Sequence, residues 1–283
     1  MNSKAIALLG LSLLWITPWA SAENSLSDYA MSERFYVSFG GYNVFRADSS
    51  ISLVDSDLGA GVALSPTDTL GLDIETTVLK LDGYYRLSPT GKIGFSWYRI
   101  DTESSKRLES SVDWVNPDGE QITIAAGSQM ESSLIYDVMK LGYYWSFYHN
   151  EKVELSAGGG FHISRFQVDL DVETDSNGNP VSQDSGNVAQ TLPLPTVGIG
   201  VNYRVNPDLY WYLSAEGFYL TYDDWDGSYT EVQLGLEYAV LDHVGVGIAF
   251  VGNSLNASED TPEYKLKYHN QFNGVNFYVS WFM

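Results

Sequence analysis

The chain has 283 residues, no cysteine and a formal net charge of -21 at pH 7, with a sequence pI of about 4.3. Such acidity argues against nucleic acid as a partner, since phosphate binding needs clustered cations, and the missing cysteines exclude a disulfide-stapled scaffold. Hydrophobic content of 44% is ordinary for a soluble protein, but aromatics reach 14%, with 20 Tyr and 8 Trp, the rings that favour membrane interfaces.

Residues 1–22 read as a secretory signal: Lys4 is the positive end, Ala5 to Ile16 the apolar run and Ala20-Ser21-Ala22 the cleavage site. The run stops at Thr17-Pro18, short of the roughly 20 apolar residues a helical span needs. The expected domain division is therefore a signal peptide, 1–22, and a single all-β domain, 23–283, that is either soluble and exported or crosses a membrane as strands.

From Arg34 onward the hydrophobic period is two, not 3.6. Strands are expected near 34–46, 76–87, 92–101, 134–148, 152–164, 191–204, 208–221, 230–241, 243–252 and 264–282. Val232, Leu234, Leu236, Tyr238 and Val240 alternate with Glu231, Gln233, Gly235, Glu237 and Ala239, so one face suits lipid and the other does not. Short turns are expected at Ser88-Pro89-Thr90-Gly91, His149-Asn150-Glu151-Lys152, Asn206-Pro207-Asp208 and Leu241-Asp242-His243. Long acidic loops are expected near 46–76, 101–133, 173–190, 222–229 and 253–263. Five loops and four turns give ten strands with both chain ends on the short-turn side; the range of strand counts is eight to twelve. Two loops carry their own alternation, Ile51 to Ala63 and Leu108 to Trp114 with Ile122 to Ala126, and are expected to form hairpins above the membrane. Aromatics crowd the short turns as a girdle. Arg99 falls in phase with Ile93, Phe95 and Trp97, and its outward position calls for a bulge or the outer headgroup level.

The last stretch, Val275 to Met283, places Met283, Trp281, Val279, Phe277 and Val275 on one face. With its apolar terminal strand, the chain resembles Gram-negative outer-membrane β-barrel proteins, architecturally the small OmpA-like and OmpW-like barrels. In those proteins an aromatic residue ends the terminal strand; here Met283 is last and Phe282 precedes it. The resemblance implies an antiparallel transmembrane barrel in the bacterial outer membrane, with outer-membrane lipid and lipopolysaccharide around it and the barrel-assembly machinery as a partner through the terminal strand.

Projected into the bore are Lys80, Asp82, Arg86, Lys140, Glu154, His162, Arg204, Glu216, Glu231 and Glu237, with Tyr84, Tyr144, Tyr210, Tyr212 and Tyr278. Unpaired charges in so narrow a lumen are costly, so pairing into a rigid plug is expected; the alternative is a narrow porin-like channel for small solutes or ions. His162-Ile163-Ser164 resembles the His-x-Ser motif of outer-membrane phospholipases and lipid A deacylases. However, Arg165 replaces the Asn that follows there, and both side chains turn inward. An omptin-like protease needs paired Asp and His-Asp groups at the extracellular rim, whereas His149 and His243 fall at short turns, leaving His269. No catalytic residue, metal site or cofactor is therefore expected. The acidic segments include Asp48, Asp55, Asp57, Asp68, Asp73 and Glu75, then Asp169, Asp171, Glu173, Asp175 and Asp184. They are expected to be solvated, with divalent cations as the alternative partner; 171–179 lacks the spacing of a defined calcium loop. The expectation is a structural or surface-interaction barrel, not an enzyme.

Overall fold

The computed structural model describes residues 33–55, 61–67, 70–115, 121–175, 177–179, 185–222, 224–261 and 264–283. The expected signal segment and Asp57, Asp68 and Asp184 lie outside them. The strands are β1 (Phe35–Asp55), β2 (Gly61–Leu64), β3 (Thr77–Ser88), β4 (Gly91–Arg107), β5 (Val112–Val115), β6 (Gln121–Ile124), β7 (Gln129–His149), β8 (Val153–Thr174), β9 (Ser185–Arg204), β10 (Leu209–Tyr222), β11 (Trp225–Leu241), β12 (Val244–Asp260) and β13 (Tyr264–Phe282). All but β2, β5 and β6 are staves of one antiparallel sheet, and β13 pairs back onto β1 from Tyr36–Phe282 to Asp55–Tyr264. This is a closed ten-strand barrel, an arrangement in which the first and last strands leave no edge unpaired.

The short turns are set by local chemistry. Asn150 Oδ1 accepts the backbone N–H groups of Lys152 and Val153, both at 2.8 Å, and Asn206 Oδ1 accepts those of Asp208 and Leu209, both at 2.9 Å. An Asn side chain bonding its own backbone two or three residues on reverses the chain without help from the rest of the fold.

At the opposite end the staves run farther than expected. β1 reaches Asp55, β4 Arg107, β8 Thr174 and β12 Asp260, and β10 turns into β11 between Tyr222 and Trp225. The expected loops at 222–229 and 253–263 are thus almost wholly hairpin extensions of the barrel strands, and the other three are shortened from their ends. Polar alternation continues the ladder there, and a ladder standing in water needs no apolar stripe to mark it. The two alternating loop runs form hairpins: β2 folds back on β1, and β5 pairs with β6 apart from the barrel sheet.

The wall sorts by parity. Ile93, Trp97, Met139, Leu141, Tyr143, Trp145, Leu234, Leu236, Tyr238, Phe277, Val279 and Trp281 are exposed, while Lys92, Ser96, Tyr98, Ser146, Glu154, Glu237, Asn276 and Ser280 are buried. The girdle near the short turns is correspondingly split, with Tyr85, Tyr143, Trp145 and Tyr238 outside and Tyr84, Tyr144, Tyr210 and Tyr212 within. Arg99 points outward on an unbroken β4–β7 ladder, opposite Asp137, whose two oxygens accept its Nε and Nη2 at 2.7 and 2.6 Å. No bulge is involved: the pair sits one step beyond Trp97 and Met139, where the apolar stripe ends.

Two pairs of neighbours stop pairing while their strands run on. β3 meets β4 only from Lys80–Tyr98 to Ser88–Gly91, although β3 begins at Thr77 and β4 runs to Arg107. β9 pairs with β8 from Ser185 to Tyr203 but with β10 only from Val197 to Arg204. Above Val197 and Gly217, within the described residues, the wall is open between β9 and β10.

Candidate functional site

The bore is built in three layers. Next to the short turns, Glu154 on β8 receives Arg86 Nη1 at 2.9 Å, Lys92 Nζ at 3.1 Å and Asn202 Nδ2 at 2.9 Å, together with the Ser146 hydroxyl. Beside it, Glu237 accepts three hydroxyls: Tyr36 at 2.7 Å, Tyr278 at 3.1 Å and Ser280 at 2.5 Å. Arg204 lies over the Tyr210 ring, 5.3 Å from its centroid, and Lys92 lies 5.1 Å from that of Tyr84. The tyrosines fit because small residues face them: a Cβ on Gly235 or Gly247 would come within 2.2 Å of the Tyr212 or Tyr278 ring.

In the middle layer Lys140 bridges Glu216, at 3.2 Å, and Glu231; Tyr144 donates to Glu216 at 2.7 Å and Tyr229 to Glu231 at 2.9 Å. Lys80 and Asp82, two apart on β3 and hence on one face, pair at 2.5 Å. All ten expected lumen residues are on the inner side of the wall. The strands thus carry five cations there (Lys80, Arg86, Lys92, Lys140, Arg204) and five carboxylates (Asp82, Glu154, Glu216, Glu231, Glu237). Glu33, just before β1, adds a sixth acid beside Arg204 and Arg86, and setting each charge near its opposite is how buried charge becomes tolerable in a low-dielectric bore. A cavity of about 200 Å³ remains between the two layers, with Asp82, Lys140, Tyr144, Tyr212, Glu216 and Gln233 in its lining. Lys92 was absent from the expected set, although it alternates with Ile93, Phe95 and Trp97 and so carried the signal.

The third layer was not foreseen. Leu70, Leu72 and Ile74, from the segment expected to be a solvated acidic loop, turn into the far end of the barrel. There they pack with Tyr42, Tyr98, Ile100, Met130, Leu134 and Val138 on the staves, and Leu72 is 0% exposed. The segment is tied down by Val44 N–H to Thr76 O at 2.9 Å and by the Ser132 hydroxyl to Leu70 O at 3.1 Å. Leu70, Leu72 and Ile74 alternate with Gly71, Asp73 and Glu75, so one edge is apolar; the acidic residues masked the pattern.

His162 and Ser164 share the inner face as expected. His162 Nε2 and Ser164 Oγ are 2.8 Å apart, and the imidazole lies against the Tyr229 ring with centroids 4.2 Å apart. Both are buried in the bore, facing away from the outer wall where a lipid-cleaving site would have to lie. His149 and His243 sit at the short-turn end, and His269, near the loop end, bonds Asn256 at 2.6 Å. Among the described residues no three His, Asp or Glu groups converge as a metal requires. Asp175 instead caps its own turn, accepting from the side chain and backbone of Asn179 and the backbone of Asn177, which holds its carboxyl below the usual range.

The shape matches that of the outer membrane protease OmpT from Escherichia coli, with a TM-score of 0.53 and 12% identity over 93% of this chain and 100% of that one. The fold is that of a bacterial outer-membrane β-barrel. More distant outer-membrane barrels also align. The Pseudomonas putida toluene transporter TodX gives a TM-score of 0.33 and 10% identity, over 88% of this chain and 90% of that one. Ail, the attachment invasion locus protein of Yersinia pestis, gives 0.32 and 12%, over 86% and 97%. No protein-family profile and no curated protein sequence matches the chain. At these identities the likeness extends to the barrel alone, and an outer-membrane barrel's activity has to be argued from its own side chains.

Proposed function

We propose that the protein is an integral outer-membrane barrel with a closed interior, serving a structural or surface-interaction role and performing no catalysis. It is exported by a cleaved signal at residues 1–22 and assembled through β13. The observation that carries this reading is the stacking of two unlike seals in one bore. The lower layers oppose five cations with five strand carboxylates and Glu33, and the upper layer packs Leu70, Leu72 and Ile74 against stave residues. A hydrated ion meeting the apolar layer would have to shed water without compensation, as at a hydrophobic constriction. The acidic hairpin extensions then form the exposed surface, where divalent cations, bridging to lipopolysaccharide phosphates, are the partners their charge favours.

The test is a planar-bilayer recording of the purified barrel. Wild type should give no stepwise conductance, while the double variant Leu72→Asp, Ile74→Asp should give brief openings. Stable steps from wild type would favour the second reading, a narrow channel for small solutes or ions. That reading draws on the cavity of about 200 Å³ that has Asp82, Lys140 and Glu216 in its lining, and it predicts that Lys140→Met alters ion selectivity.

A further inference from the structure

The open seam between β9 and β10 has a chemical peculiarity on its β9 side. Arg204 N–H donates to Lys152 O, on the β8 side, and Val205 N–H donates to Leu209 O, on the β10 side. Backbone direction alternates along an unbulged strand, so the odd-numbered residues of β9 are those whose N–H groups would face β10. The first two odd positions above the zipped part, at 195 and 193, are both proline. Proline has no N–H. The β9 donors at these two positions have therefore been removed where β10 no longer accepts them, which lessens the orphan N–H groups an open wall would show to hydrocarbon; those of Tyr219 and Thr221 on the β10 side remain. The same loss makes this edge a poor template for a strand from a partner chain.

The flanks of the opening are apolar and exposed. Val197 is 71% exposed, Tyr219 77%, and Leu220 53% although it falls on the inward phase of β10. A charged row lies beside the top of the seam: Arg99, Asp137 and Arg165 are opposite one another across β4, β7 and β8, and Arg165 is opposite Thr191 of β9. Asp137 is committed to Arg99 through two short bonds. The row therefore carries one net positive charge, on exposed Arg165, at the level where the apolar stripe ends.

We propose that the β9–β10 seam is a lipid-binding groove, holding one acyl chain of an anionic phospholipid between Pro193-Pro195 and Tyr219 with its phosphate beside Arg165. This rests on the membrane reading above and adds to it a defined site. A groove aligned with the strands takes the chain lengthwise, and the cation fixes the depth of its head.

The test reconstitutes the full barrel in vesicles of phosphatidylethanolamine and phosphatidylglycerol containing a trace of phosphatidylglycerol with a diazirine midway along one acyl chain. After irradiation, adducts are mapped by mass spectrometry. Leu194 and Phe218, both half-buried on the inward phase, should be labelled as strongly as the lipid-facing Leu141 and Phe250, whereas inward Ser96 and Asn276 should carry no label. Arg165→Gln should lower seam labelling about fivefold, the equilibrium factor for the ~1 kcal/mol that one cation near an anionic surface contributes, while leaving Phe250 unchanged. The double variant Pro193→Thr, Pro195→Thr, which restores the donors, should reduce it as well. Labelling at Leu141 and Phe250 with none at Leu194 or Phe218 would overturn the groove alone, as would a seam shielded by a second copy of the chain. Absence of label at Phe250 too would overturn the membrane reading along with it.

Discussion

Glu154 and Asp260 show how differently two ion-paired carboxylates can matter. Glu154 is sealed in the bore among Arg86, Lys92, Asn202 and Ser146, so Glu154→Gln leaves two buried cations without their counter-charge. Removing one partner of a buried network costs about 3–5 kcal/mol. We expect a clear fall in the denaturant midpoint of the detergent-folded barrel, followed by its gel-mobility shift. Asp260 pairs with Lys265 at 2.7 Å on the outside of a hairpin, with both side chains more than half exposed. Such a pair is worth about 0–1 kcal/mol, so Asp260→Asn should leave that midpoint nearly unmoved, and a large shift would mean that the hairpin is more constrained than its exposure implies.

The hairpin extensions and the inward-folded segment behave as elements with their own energetics. On the β7–β8 extension, the Glu173 carboxylate beside Glu131 holds the Glu131 carboxyl above its ordinary range. A carboxyl that binds its proton more tightly when folded gains stability as pH falls through that range. Amide protection of residues 129–135 should therefore rise on acidification from neutral pH, once corrected for intrinsic exchange, and Glu173→Gln should abolish the change. In the inward segment, Leu72→Ala should cost about 2–5 kcal/mol if the cap stays docked; a loss well below that, with protease sensitivity near residues 66–75, would show that the cap undocks locally instead. The sequence signalled these elements unevenly. Turn ends were legible to within one or two residues, because Asn150 and Asn206 act on their own backbone. Loop ends were not, because a strand continuing into water loses the apolar half of its alternation. The Leu70–Ile74 segment was misread because Asp73 and Glu75 dominate its composition while Leu72 and Ile74 decide its position.

At the scale of the whole molecule, closure depends on β1 and β13 meeting along their full length. Phe35 and Met283 exchange backbone bonds of 2.9 and 3.0 Å, and Phe282 packs inside with Tyr36 and Tyr210. Deleting Trp281-Phe282-Met283 should leave little heat-modifiable barrel in the outer-membrane fraction of expressing cells; normal assembly of the truncated chain would show that β13 is dispensable as the closing strand. The sequence by itself determined the barrel, its ten staves and the identity of the inward charges, because a period of two assigns each residue to lipid or bore before any contact is made. Only the tertiary structure decided which charge meets which, that a loop segment caps the far mouth, and that the wall stays unzipped above Val197. Those outcomes depend on strand register and on residues far apart in the chain arriving at the same height, and parity along one strand carries no information about either.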